Sequence, residues 1–204
     1  MVTRTIRTRR TMYEYLDRVL KRLVREIYRL FQSYRTLPFD ELNLAPMTRT
    51  LYAGLEDINF QAFLEIAQHY YREETGGSGT ITAEQLREVL RTPSRVMKYS
   101  YDSESVRKRD RLVEALIATA GSKEEIDKAM RYWVQMVGWF AVEVADAAVA
   151  QAREDTGVSL VIWRSEHDEK TCSVCHHLDG QVFDADAVPP KPHPGCRCWT
   201  EDAT

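Results

Sequence analysis

The residues best suited to chemistry lie in the last part of the chain. All four cysteines fall there, as Cys172-Ser173-Val174-Cys175 and then His193-Pro194-Gly195-Cys196-Arg197-Cys198. A tetrahedral Zn²⁺ site takes four soft or borderline ligands, and a Cys-x-x-Cys turn delivers two thiolates from one tight loop. His193-x-x-Cys196 repeats that gap, with Pro194-Gly195 inside it favouring a turn. Cys172, Cys175, His193 and Cys196 then close a site of three thiolates and one imidazole. Cys198 is the alternative fourth ligand, because Cys196 and Cys198 point to one face of an extended segment. His193 ranks first only because its spacing mirrors the first pair. A closed four-ligand set leaves no position for water, so the Zn²⁺ is expected to be structural rather than catalytic.

The same cysteines could instead form two disulfides. Residues 1–10 are polar and basic and no apolar run follows them, so no export signal is expected and the thiols are expected to be made in a reducing compartment. That favours metal. His176 and His177, directly after Cys175, are expected at the surface. One closed site uses up the strong ligands, and neither a nucleophile motif nor a phosphate loop is present, so no enzyme, no catalytic residue and no small-molecule substrate are expected.

The elements that must position this cluster are mostly helical. Tyr13, Leu16, Leu20, Leu23, Ile27, Leu30 and Tyr34 recur in steps of three and four, which predicts a helix over about 10–35. Arg18, Lys21, Arg22, Arg25 and Arg29 occupy its other side. Thr36–Pro46 reads as a connection bracketed by Pro38 and Pro46. A second helix follows from about Met47 to Glu74, then a break at Gly76-Gly77-Ser78-Gly79. Thr82-Ala83-Glu84-Gln85 fits a capping box opening a short helix to Arg91. Another helix is expected over Ser103–Ala120, stopped by Gly121. Ser122-Lys123-Glu124-Glu125 opens the longest, to about Asp155, with Ile126, Met130, Trp133, Val137, Phe140 and Val144 on its inner stripe. The apolar stretch Met136–Ala152 is broken by Glu143 and Asp146 and reads as a buried helix, with no membrane partner expected.

Beyond Gly157 the composition changes. Ser159–Trp163 is β-branched and apolar, a strand candidate. Asp179-Gly180 signals a hairpin turn ahead of a short strand at Gln181-Val182-Phe183, and Cys196–Trp199 is a further strand candidate. The segment is too short to bury a core unaided, and modules of this kind need a metal or disulfides. The expectation is a mainly α protein, with a bundle-like helical body and a small C-terminal β module stabilised by zinc. Three regions follow: a basic amphipathic N-terminal helix or arm at 1–36, a helical body at 37–157 and the Cys/His module at 158–204.

Charge is unevenly placed. Residues 1–36 hold ten Lys and Arg against three Asp and Glu, although the whole chain is −3. That asymmetry points to an anionic partner for the first helix, at Arg18, Lys21, Arg22, Arg25 and Arg29. The stretch 168–198, by contrast, has Lys170, Lys191 and Arg197 against five acids, unlike a module that reads DNA.

The C-terminal residues resemble a known family. Trp163-Arg164-Ser165, Asp168, Thr171-Cys172-Ser173-Val174-Cys175, Leu178-Asp179-Gly180, Val182-Phe183 and His193-Pro194-Gly195-Cys196-Arg197-Cys198 are similar to the signature of tailed-phage minor head proteins, the Mu F-like head morphogenesis proteins. The resemblance covers Trp163–Cys198, under a fifth of the chain. It implies a structural virion protein of a phage or prophage, acting in head assembly and DNA packaging or delivery. The implied partners are the portal, the major capsid protein, or both, with packaged DNA as a further one. The implied location is the capsid interior or portal vertex, and the host cytoplasm during assembly. Some relatives lack the Cys-x-x-Cys pair, so the family does not itself imply the metal.

Overall fold

The amphipathic stripe near the N-terminus forms α1 (Arg9–Arg35), whose Leu16, Val19, Leu23, Ile27 and Phe31 are buried. The structure, a computed structural model, describes residues 9–35, 41–118, 123–167, 169, 171–196 and 198–203. Helix α1 packs on α2 (Glu41–Glu74) and α5 (Lys123–Thr156), and α4 (Tyr101–Ala118) packs on α5. The short α3 (Ala83–Arg91) touches α2, α4 and α5. The shared core is built from Leu55, Phe63, Ile66, Tyr101, Trp133, Val137, Phe140 and Val144. Within α5, Asp127–Thr156 is long and apolar enough by composition to cross a bilayer, and half of its most apolar window is buried inside the bundle.

Local signals set most of the boundaries. Thr82 and Gln85 form the reciprocal capping box: Gln85 N–H donates to Thr82 Oγ1 at 3.2 Å and Thr82 N–H to Gln85 Oε1 at 2.9 Å. Gly157, at φ +71°, ends α5 with Val158 N–H donating to the Arg153 carbonyl. Two starts differ from expectation. Helix α2 begins at Glu41, with Pro46 inside it, rather than at Met47. Pro46 is the sixth residue, beyond the first four unpartnered N–H groups, so the helix gives up one i to i−4 hydrogen bond to include the turn before it. Helix α4 starts at Tyr101, two residues early, because Ser100 Oγ accepts the Ser103 N–H at 3.2 Å and supplies the cap. The connection at 36–40, Gly121 and the cap at Ser122 lie outside the described residues.

The chain then forms a three-stranded antiparallel sheet, ordered β2-β1-β3, from β1 (Leu160–Arg164), β2 (Val182–Asp184) and β3 (Trp199–Asp202). A helix not foreseen in the sequence, α6 (Ser173–Leu178), sits between β1 and β2. Asp179-Gly180 is therefore a helix-to-strand turn and not a hairpin loop; Asp179 caps α6, and Gly180, at φ +78°, donates its N–H to the Trp163 carbonyl. The last strand starts at Trp199, so Cys196 and Cys198 lie in the loop just before it.

One buried side chain fastens this sheet to the bundle. Arg153, near the end of α5, donates from Nε to Glu74 of α2 at 2.9 Å and to Asp202 of β3 at 3.1 Å. Its other nitrogens reach the Thr200 hydroxyl and, at 2.9 Å, the Thr200 carbonyl. Arg153 and Glu74 are each 7 % exposed. Removing one partner of a buried ion pair strands the others, at a cost of about 3–5 kcal/mol. Arg153→Ala should lower the thermal midpoint by roughly 10 °C in a chain of this size. Arg164→Ala, which breaks a more exposed pair with Glu201, should cost less than about 1 kcal/mol. Equal losses in two melting curves would contradict the assignment.

Candidate metal centre

The cysteines converge through three local geometries. Cys172 is the residue before α6 and Cys175 lies in its first turn, so a three-residue step puts both on one side. The His193-Pro194-Gly195-Cys196 segment turns back on itself, with Cys196 N–H donating to the His193 carbonyl at 3.2 Å. Gly195 makes this possible at φ +71°, pressed near the Trp139 ring of α5. Cys198 follows on the approach to β3.

The resulting cluster is tight and dry. Cys172 Sγ is 3.3 Å from Cys175 Sγ, which is 3.4 Å from Cys196 Sγ. The sulfurs of Cys175, Cys196 and Cys198 all lie within 4.8 Å of one another. Those three residues are buried, Cys172 is half-buried, and all four are free thiols. Trp163 of β1 packs against them, with Leu178, Phe183 and Val188 around it. A tetrahedral ion with bonds of about 2.3 Å needs sulfurs about 3.8 Å apart; Cys175, Cys196 and Cys198 come close to that, and Cys172, near Cys175 alone, would have to turn inward to join them. Trp163 Nε1 and Ser165 Oγ are buried in the same module with no hydrogen-bond partner among the described residues.

The electrostatics show what the cluster lacks. Burial pushes the Cys175 thiol up to about 12. A hydrogen bond from the Cys198 thiol holds Cys196 down to about 5, and the same bond raises Cys198 far above the usual thiol range. A negative charge is thus favoured at Cys196; Cys172 is also lowered, its burial outweighed by hydrogen bonds from Cys175 and His193, whereas Cys175 and Cys198 resist ionisation. A divalent cation held here would supply counter-charge, which is what deprotonates coordinating thiols.

His193, ranked first in the sequence as the fourth ligand, is exposed. Its Nδ1 lies 3.2 Å from the Pro194 carbonyl, and its ring is within hydrogen-bonding reach of Cys172. Cys198, the alternative, lies inside the sulfur cluster. His176 and His177 are exposed on α6. On α1, Arg18, Lys21, Arg25 and Arg29 are exposed without an ion pair among the described residues, whereas Arg22 pairs with Glu65 of α2. Sequence reading missed Arg153. Its signal was a charge beside Ala152 and four residues after Val149, on the buried face of α5. No family model, curated protein or solved structure matches the chain.

The two fourth-ligand candidates separate by substitution. Cys198→Ser should weaken metal binding by more than about 100-fold, and His193→Ala by about 10-fold, as for a group that orients a ligand. Competition against a chromophoric chelator measures both. The reverse order would make His193 the ligand.

Proposed function

We propose that the chain is a structural head protein of a tailed phage or prophage, with a C-terminal module locked by one Zn²⁺ on Cys172, Cys175, Cys196 and Cys198. The observation that carries this reading is the burial of the Cys175, Cys196 and Cys198 sulfurs together, with Cys172 beside Cys175, within the Trp163–Cys198 segment that resembles the head-protein signature. Zinc suits an all-thiolate tetrahedral set, and with four protein ligands it does no chemistry beyond holding the fold. The helical body then serves as the docking element toward portal or capsid subunits during head assembly.

Three measurements test this. Protein purified without chelator should hold about one zinc per chain, and Cys175→Ser should expose residues 159–203 to protease, because structural zinc supplies folding free energy. Less than half an equivalent, or unchanged protease resistance, counts against the site. In particles from an induced lysate, the chain should sediment with DNA-filled heads together with portal and capsid proteins. Its absence from purified particles would sink the virion reading while leaving the metal site intact.

A second reading is favoured by the exposed, unpaired stripe of Arg18, Lys21, Arg25 and Arg29, on which DNA would be bound by α1. Neutralising about four phosphates gives a salt slope, log K against log salt, near −4. DNA affinity unchanged on deleting residues 1–35 would refute it.

A further inference from the structure

A groove of about 1,090 Å³ runs along the seam between α5 and the C-terminal module. Its apolar surface comes from Val188, Pro190 and Trp199, and Glu154, Asp184 and Asp186 add carboxylates to its lining. Those three acids carry no ion pair among the described residues, although Glu154 accepts a long hydrogen bond from Gln151. The basic side chains at the groove are already engaged. Lys191 pairs with Asp146 at 2.7 Å, Arg153 is held by Glu74 and Asp202, and Arg95 donates to the Val188 carbonyl. The groove is therefore acidic and apolar at once. It is also open and larger than most enclosed small-ligand sites, which suits a protein surface.

The same chain presents the complementary surface. Arg18, Lys21, Arg25 and Arg29 recur on the outer face of α1 over about 17 Å of helix. Tyr28, 40 % exposed, stands at the edge of that face. Arginine and tyrosine are the side chains that most often carry interface energy, the first by charge and planar hydrogen bonding, the second by rigid apolar area. The stripe does not line its own groove, which takes residues from α3, α5 and the module but none from α1. Helix α1 is fixed in the bundle by Leu16, Val19, Leu23 and Ile27. Filling the groove with this stripe therefore takes a second molecule.

We propose that the α1 face of one copy docks into the acidic groove of the next, making a head-to-tail contact between copies of this chain. The contact joins two different patches, so it propagates into a ring or a filament and does not stop at a dimer. It goes beyond the head-protein reading and does not depend on it.

Sedimentation of the zinc-loaded full chain tests this at about 100 µM, where a contact with Kd near 10 µM is well populated. Average mass should rise with concentration at about 50 mM salt and fall back to the monomer at about 500 mM, as screening shortens from about 14 Å to about 4 Å. Arg18→Ser with Arg25→Ser should give a monomer, as should Asp184→Asn with Asp186→Asn. Mixed in equal amounts, these two variants keep one good stripe and one good groove between them, so they should form a species of two chains and no larger one. All the substitutions are exposed, and the helical spectrum and zinc content should match the parent protein. A monomer at low salt overturns the proposal, whether or not duplex DNA then binds the stripe. So does a dimer that both variants retain, because that contact would be symmetric and elsewhere.

Discussion

Three buried sulfurs crowded together, with a fourth at their edge, impose the constraint from which the C-terminal module follows. A single thiolate there is stabilised by hydrogen bonds from its neighbours, as at Cys196, but a second meets like charge and poor solvation. The strands of the module have five, three and four residues, too few to hold a fold by apolar burial alone. A cation bound by Cys172 and Cys175 on one side and Cys196 and Cys198 on the other would cross-link the start of α6 to the loop before β3. In the sheet those segments flank β1, whose Trp163 covers the sulfurs. A bound metal and the indole would then be two parts of one small core.

That core is joined to the bundle by charge more than by apolar contact. Arg153 brings together the ends of α2 and α5 and the last strand in one set of buried polar contacts. Lys191 to Asp146 and Arg95 to the Val188 carbonyl add two ties along the same seam. Directional contacts of this kind fix orientation, whereas apolar patches of similar area would permit sliding. Because Thr200 and Asp202 belong to β3, loss of the metal would loosen the strand that Arg153 grips.

The sequence made the helices legible wherever period and punctuation agreed. The stripe of α1, the capping box at Thr82 and the glycine stop at Gly157 each have a local cause, and each appears as expected. Periodicity could not reveal α6, which has six residues and therefore fewer than two turns. Pro46 misled because a proline signals a boundary without saying on which side the helix lies. At the site, all four cysteines were legible as one constellation. The choice between His193 and Cys198 was not, since spacing alone does not say how the loop before β3 folds. Arg153 needed the third dimension: its partners come from residues 79 and 49 positions away.

Charge segregation along the chain takes on a different meaning once the fold is known. The described part of α1 is packed into the bundle, with Arg18, Lys21, Arg25 and Arg29 on its exposed face. The acids of the C-terminal half collect where α5 meets the module, a seam held together by the groups that bind β3 and the proline-rich loop. A surface of each sign, held on one rigid body, repels its own kind and attracts the other at distances set by salt. Such a body assembles with a defined polarity or binds a charged partner at one end only. The groove adds an apolar floor to the negative side, and diffuse steering alone does not require one.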